Sequence, residues 1–526
     1  MSNSSRDDKL FSAGSVGEMI VNAIERHANR TAFVCREREI SFLEIGQQIS
    51  RTIQLFKALG LNRGDTVMQL TGNRHEMFVV MAAAFVGGYV SVVPNYSGSL
   101  EDHQYMLDDS GATLLIVDAA RTERASRLKA GARRPLQVWC HDAASGMDRF
   151  WDAAARYTPE PLLACDQPDD NIRLIYTGGT TGRPKGVMTL SRALAFASLL
   201  HIAEQNLDVD TRLLASSPLS HGAGAMVIPV LFKGGCIVIH EGFDPDRILD
   251  AVASGQATML YLVPTMIYAL LDNPRIASLD LSGLKRILYA ASPISPSRLK
   301  QALDRFGPIL HQNYGQTEVP GTILSLTPED HVDQRGGRLT SAGRPYPCVS
   351  VKLIDDNGKP IPRGGGIGEL CVRAPHVTVG YWNKPEATRE LLRDGWLHTG
   401  DMAYEDEDGY FHIVDRKKDM IISGGFNIYP QEIEHVLTRH DTVSAAAVIG
   451  VPDPKWGEAV KAIVVLKEGH TIDSDELIAF VKEKKGSVMA PKSVELVSQL
   501  PLTDLGKIDK KALRAPYWRN HEKGVN

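Results

Sequence analysis

Tyr176-Thr-Gly-Gly-Thr-Thr-Gly-Arg-Pro-Lys-Gly186 is the stretch on which the reading of this chain turns. It follows a short apolar run, Ile172 to Ile175, that reads as a strand, so the glycines arrive at the end of a buried element. Gly178, Gly179 and Gly182 let backbone amides turn toward an anion. The hydroxyls of Thr177, Thr180 and Thr181 can donate to phosphate oxygens, and Lys185 supplies compensating charge. The same residue types also build ordinary surface loops, and composition leaves both readings open. A Walker A loop is excluded, because that pattern needs Gly-Lys-[Ser/Thr] whereas Lys185 sits between Pro184 and Gly186.

Working outward, the flanking sequence alternates helix and strand. Met19, Ile20, Ala23, Ile24 and His27 keep helical spacing, and Thr31 to Cys35 reads as a strand. Ser41 and Glu44 form a capping box ahead of the apolar face Ile45, Ile49, Ile53, Phe56 and Leu59, with Gly60 as the stop. Val67 to Leu70 follows as a strand, and further units recur at Val209 to Ala215, Cys236 to His240, Pro245 to Ala253 and Met259 to Val263. This rhythm predicts largely parallel sheets packed between helices. From Ser341 the texture changes to short alternating strands punctuated by Gly343, Pro345, Pro347, Gly358 and Gly364 to Gly366, a small β-rich subdomain. Beyond Asp415 a compact α+β unit is expected: helix Pro430 to Arg439, strands Val443 to Ile449 and Val460 to Leu466, helix Asp475 to Lys484 capped by Asp473 or Ser474, and strand Val494 to Val497. A boundary is placed at 415/416, giving units 1–415 and 416–526.

Several classes of function are excluded by composition. Lys+Arg 58 against Asp+Glu 63 gives a formal charge of −5 and no footprint for nucleic acid. The six cysteines, at 35, 140, 165, 236, 348 and 371, contain no C-x-x-C pair, which argues against a disulfide scaffold or zinc site and for a reducing compartment. Met77 to Val93 is almost wholly apolar, but Gly87-Gly88 breaks it and Pro94 ends it. A buried helix (77–86), a turn and a buried strand (89–93) are expected there in place of a membrane span. The start MSNSSRDDK lacks the pattern of a secretory signal, and Gly524 to Asn526 are not a peroxisomal address, so a cytoplasmic protein is expected.

The glycine loop is one of a series. Pro218-Leu-Ser-His-Gly222, Asn313-Tyr-Gly-Gln-Thr-Glu318, Gly343-Arg-Pro345, Gly380-Tyr-Trp-Asn383, Trp396-Leu-His-Thr-Gly-Asp401, Gly409-Tyr-Phe-His-Ile-Val-Asp-Arg-Lys-Lys-Asp419, Ser423-Gly-Gly-Phe-Asn427 and Leu502-Thr-Asp-Leu-Gly-Lys507 follow in order. From about residue 20 to 515 the chain resembles the adenylate-forming superfamily of acyl-CoA synthetases, adenylation domains and luciferases. The resemblance implies an α/β fold: a large N-terminal domain of two doubly wound subdomains plus the β-rich one, and a mobile α+β C-terminal domain. It implies a two-step ligase in which a carboxylate attacks the α-phosphate of ATP and a thiol, that of CoA, then displaces AMP. Charge neutralisation and alignment carry such a reaction, and no protein nucleophile is needed.

Residue by residue, the resemblance assigns the phosphates to Thr177, Gly178, Gly179, Thr180, Thr181, Gly182 and Lys185, and Mg2+ to Glu318 with Thr317. Ala291, Ser292, Asn313, Tyr314, Gly315 and Gln316 belong to the nucleotide site, with the Tyr314 ring against adenine. Ala290-Ala291-Ser292-Pro293 departs from the Gly-Gly-Ala-Pro common in relatives. Asp401 and Arg416 hold the ribose, Lys507 is the adenylation lysine, Lys418 the hinge, and Gly424-Gly425 the loop that shapes the CoA tunnel. His221 gates the acyl site, which Gly222, Pro264 to Leu271 and Val319 to Thr322 line. Gly222, Ala223 and Gly224 are small, which suggests space. The absence of an acidic residue near Phe232 to Gly235 points away from an α-amino acid and toward a hydrophobic acid, whether aryl, cyclic or medium- to long-chain aliphatic. Delivery to a carrier-protein thiol and an inactive nucleotide-binding scaffold are the competing readings, with the oligomeric state open between monomer and homodimer.

Overall fold

The computed structural model describes residues 14–36, 38–144, 146–177, 183–220, 222–333, 338–503 and 508–518. Gly178, Gly179, Thr180, Thr181, Gly182, His221 and Lys507 therefore lie outside the described residues. The described residues form four sheets. The first has nine strands, and six of them run parallel: Thr31–Cys35, Cys236–Ile239, Arg212–Ala215, Met259–Leu262, Arg286–Ala290 and Leu310–Gln316. Val319–Leu326 and Arg344–Pro345 then add to one edge antiparallel, and Arg38–Ser41 closes the other. A six-stranded sheet is built from Gln137–Cys140, Leu114–Val117, Thr66–Leu70, Val90–Val92, Asn171–Thr177 and Lys185–Leu190. Only its last pair is antiparallel, so the glycine-rich stretch joins the two arms of a hairpin with Thr177 directly opposite Lys185.

The helices form where their caps and apolar stripes direct. Both sides of the Ser41/Glu44 capping box are made at the start of Phe42–Ala58, whose Ile45, Ile49 and Phe56 are buried. A second box, Ser15 with Glu18, opens Val16–Arg26. The apolar run after residue 74 is the helix His75–Gly87, ended by Gly88 in the left-handed region, and the strand Val90–Val92. That helix is buried nearly all round because the helices Val16–Arg26 and Phe42–Ala58 pack against it. Among the described residues no helix is long and apolar enough to cross a membrane.

The β-rich region is a six-stranded antiparallel sheet that includes Ser350–Ile354, Gly368–Arg373, Trp396–Glu405 and Phe411–Arg416. A five-stranded sheet follows, of Ile421–Ser423, Phe426–Ile428, Val443–Asp453, Gly457–Leu466 and Ser493–Leu496, covered by the helices Pro430–Leu437 and Ser474–Lys485. Asp473 makes the N-cap of the second helix. Its leading hairpin was not anticipated from sequence. Gly424 (φ 58°) and Gly425 (φ 83°) form the two-residue turn, which needs both left-handed positions. The closing helix Lys510–Trp518 was not anticipated either, since its apolar positions are few.

Candidate active site

In an open parallel sheet, ligands sit at the carboxyl ends of the strands, where backbone groups run out of partners. Arg286–Ala290 and Leu310–Gln316 end side by side here, with Ala290 opposite Asn313. Just past the first, Ala291 adopts φ +79°, a left-handed conformation that a residue with a β-carbon takes only under strain. The chain needs this conformation here, and alanine tolerates it at a cost that glycine would not incur. Asn313 is buried, and its side-chain oxygen accepts from the Tyr346 hydroxyl at 2.7 Å.

Thr317 and Glu318 form the turn between Leu310–Gln316 and Val319–Leu326. Gly315 and Gly321 face each other across this hairpin so closely that a β-carbon on Gly315 would lie 2.5 Å from the Gly321 backbone. The strand entering the turn points its groups at Asp401, a carboxylate only 2% exposed. The Tyr314 hydroxyl donates to Asp401 Oδ2. Gln316 Nε2 donates to the same oxygen at 2.8 Å and to the Thr399 carbonyl at 2.9 Å. Arg416, the cross-strand partner of Asp401, meets Oδ1 through Nε at 2.5 Å. Burial raises the Tyr314 pKa and the Asp401 charge adds to the effect, so the phenol stays a donor. Burial opposes the charge on Arg416, but Asp401, with Tyr314 and Glu318 beyond it, outweighs this and holds its pKa above the usual value.

A second group of contacts runs from the same turn to the glycine-loop hairpin. The Tyr381 hydroxyl donates to Glu318 Oε1 at 2.7 Å, and the Lys185 ammonium lies 5.0 Å from the centre of the Tyr381 ring. Trp382 N donates to the Gly186 carbonyl at 2.8 Å, and Thr378 N to the Glu318 carbonyl at 2.8 Å. Tyr381 thus ties Thr177 and Lys185 to Glu318. Sequence reasoning quoted its motif and gave it no role, since nothing local reveals which two strands an aromatic ring will bridge. Mg2+ would fit beside this turn. Glu318 Oε1 is engaged by Tyr381, no described group is bonded to Oε2, and Thr317 precedes Glu318 in the same turn. Among the described residues no cluster of three or more His, Cys, Asp or Glu could cage a metal, so such an ion would take most of its ligands from phosphate and water.

The remaining expected residues lie further out. Pro264 is the first residue of the helix Pro264–Leu271, and Val319 is fully buried. Gly222 and Gly224 pack closely on the side where a β-carbon would project. A β-carbon on Gly222 would lie 2.4 Å from the Tyr261 hydroxyl, one on Gly224 would meet the Leu219 carbonyl at 1.9 Å, and Ala223 is buried. Small residues here serve close packing of Gly222–Ala225. Lys418 sits in the single turn Lys417–Asp419 that follows Phe411–Arg416. Burial and the neighbouring Arg416 lower its pKa. The Gly424-Gly425 turn packs on Trp456, whose carbonyl accepts from Gly424 N at 2.8 Å, and is not joined to the Asp401 cluster by any described contact. Sequence also missed how the helix Lys510–Trp518 is fastened beside Lys418: Lys510 pairs with Glu434 at 2.7 Å and Arg514 with Asp419 at 2.7 Å. Beneath them burial raises the Asp415 carboxyl to about 6, although Lys510 pulls the other way.

These strand ends, the buried carboxylate surrounded by donors and the lysine-bearing hairpin fit a nucleotide-handling enzyme of the adenylate-forming architecture. Residues 20–382 match the AMP-binding enzyme family and residues 432–507 match the AMP-binding enzyme C-terminal domain. A medium/long-chain-fatty-acid–CoA ligase of Mycobacterium tuberculosis is 42% identical, over 97% of this chain and 91% of that protein. A feruloyl-CoA synthase of an Amycolatopsis species is 40% identical, over 90% of this chain and 93% of that protein. The crystal structure of ATP-bound MatB from Rhodopseudomonas palustris superposes with a TM-score of 0.87 at 30% identity, covering 97% of this chain and all of that one. The chain belongs to the AMP-binding enzyme family and is an AMP-forming acid–thiol ligase that uses ATP, Mg2+ and CoA.

Proposed function

We propose that the chain activates a hydrophobic carboxylic acid as its acyl-adenylate at the Asp401–Glu318 site and passes the acyl group to CoA in a cytoplasmic setting. The observation that carries this placement is the Asp401 carboxylate, buried yet surrounded by donors, two hairpins away from Lys185. A carboxylate accepting two hydroxyl protons is the simplest sugar clamp, and Arg416 beside it can donate to the same ring. Thr177, Lys185 and the loop 178–182 neutralise the β- and γ-phosphates, while Ala291, Ser292, Asn313 and Tyr314 frame the base. Bound Mg2+, held by Glu318 and Thr317, supplies charge neutralisation on the phosphate oxygens. The substrate carboxylate attacks the α-phosphorus and pyrophosphate leaves. The CoA thiolate then attacks the acyl carbonyl and AMP leaves. All six cysteines are free, which suits a reducing compartment.

In this reading units 1–415 and 416–526 take turns over the nucleotide. Lys507 attends the first step, rotation at Lys418 withdraws it, and Gly424-Gly425 comes in for the second. Lys507→Ala is the test: acid-dependent pyrophosphate release is lost while thioester formation from a synthetic acyl-adenylate continues. Equal loss of both half-reactions in a folded variant refutes the alternation. Supplying CoA and a carrier protein in parallel, with AMP release as the signal, separates the two acceptors.

A further inference from the structure

The helix Ser191–Gln205 packs across Leu310–Gln316 and Val319–Leu326, and polar groups run through the contact. Gln205, His311, Ser325, His376 and Thr322 each have at least one partner, although Gln205 Oε1, His311 Nδ1 and His376 Nδ1 are unpaired. Gln205 Nε2 and His311 Nε2 are 3.0 Å apart, His311 Nε2 is 2.7 Å from Ser325 Oγ, and His376 Nε2 is 2.8 Å from Thr322 Oγ1. His201, in the same contact, is 3% exposed, and neither its Nδ1 nor its Nε2 has a hydrogen-bond partner. Its ring meets Tyr346 edge-on, centroids 6.3 Å apart, beside the apolar cluster of Leu200, Val319 and Ile323. A neutral imidazole carries one donor and one acceptor, and burying both without partners is costly enough that native structures rarely leave them so.

The ring faces a definite place. Gly321 has φ +67°, and the position its β-carbon would occupy is approached within 4 Å by the His201 ring alone, Nε2 at 3.7 Å. On its other side Gly321 backs directly onto Gly315 of the Asn313–Glu318 segment. The unpaired imidazole therefore lies one strand behind the nucleotide side, against the Val319–Thr322 segment.

We propose that His201 is a specificity-determining residue that pairs with an uncharged oxygen, a hydroxyl or carbonyl group, at the end of the acid remote from its carboxylate. This rests on the placement of the acyl site along Val319–Thr322. The favoured substrates are oxygenated hydrophobic acids, and their plain hydrocarbon counterparts leave the imidazole unpaired. A second carboxylate is disfavoured: burial, with His376 nearby, lowers the His201 pKa to about 4, so the ring offers no compensating charge at neutral pH.

The test uses the full chain and pyrophosphate release with matched acids: phenylpropanoate against its para-hydroxy derivative, and octanoate against its ω-hydroxy derivative. The wild type prefers the oxygenated member in kcat/KM by ~10-fold or more. His201→Leu lowers that ratio by at least ~10-fold, mainly through the KM of the oxygenated acid, and His201→Gln restores part of it. A ratio that His201→Leu leaves unchanged, as an ordered water at the gap would produce, overturns the assignment alone. Absence of release with every acid overturns the ligase reading and this assignment together. Should His201→Leu fail to fold, ring 15N shifts of His201 in the wild type decide: they move with the hydroxylated acid and ATP more than with the plain one, and identical shifts refute the proposal.

Discussion

Asp401→Asn isolates the charge of the ribose clamp while keeping its shape. In the free protein Oδ2 accepts from Tyr314 and Gln316, and Oδ1 meets Arg416 Nε at 2.5 Å. An asparagine whose oxygen serves the first two must turn its NH2 toward Arg416, donor against donor. Because Asp401 is only 2% exposed and Tyr314 and Gln316 also lose a charged acceptor, the free protein is destabilised by about 2–3 kcal/mol, although water at the half-exposed Arg416 recovers part of its share. Ribose binding weakens in addition. A hydrogen bond to a charged acceptor contributes about 1.5–3 kcal/mol and a neutral one about 0.5–1.5 kcal/mol. Two hydroxyls thus lose roughly 2–3 kcal/mol, a rise of about 30- to 150-fold in KM for ATP. Initial rates of pyrophosphate release across an ATP titration, at saturating acid, measure it, with thermal melting as the control for folding. A folded variant whose KM for ATP is unchanged, or whose defect lies only in the KM for the acid, refutes the placement of the ribose at Asp401.

The other predictions follow the same chemistry. Ala291→Gly relieves the left-handed strain at φ +79° and raises stability by about 1 kcal/mol, read from denaturant midpoints; a destabilised variant contradicts the strain argument. Glu318→Gln raises the Mg2+ concentration needed for half-maximal pyrophosphate release by ~10-fold or more, and an unchanged titration removes the residue from the metal site. Asp415 binds its proton more tightly folded (about 6) than unfolded (about 4), so stability is greatest below pH 4 for this group and declines by up to about 3 kcal/mol as pH rises through 6. Asp415→Asn therefore flattens the melting-temperature profile between pH 4 and 6. A variant profile that parallels the wild type assigns the dependence elsewhere.

The family and its chemistry were legible because they depend on short runs whose residue types are set by local demands. The Ser41/Glu44 box, the helix Pro245–Ala253 and the glycine stop at Gly88 are written within a few residues of where they act. The ordered motifs from Thr177 to Lys507 carried the reaction for the same reason: phosphate, metal and ribose each call for particular groups at close spacing.

What sequence alone determined was therefore the set of local devices and the class of reaction. Tertiary structure decided which of them meet. Thr31–Cys35 joins the sheet of residues some two hundred positions later, pairing with Cys236–Ile239. Tyr381 lands between Lys185 and Glu318. Gly222 and Gly224 admit the close approach of a tyrosine ring and a carbonyl from outside their own helix. His201, one of several polar residues on its helix, stands out only once its unpaired ring is seen against Gly321. Periodicity records which face of an element is buried. It carries no record of the distant strand that will cover that face, because that choice is made by packing the whole chain at once.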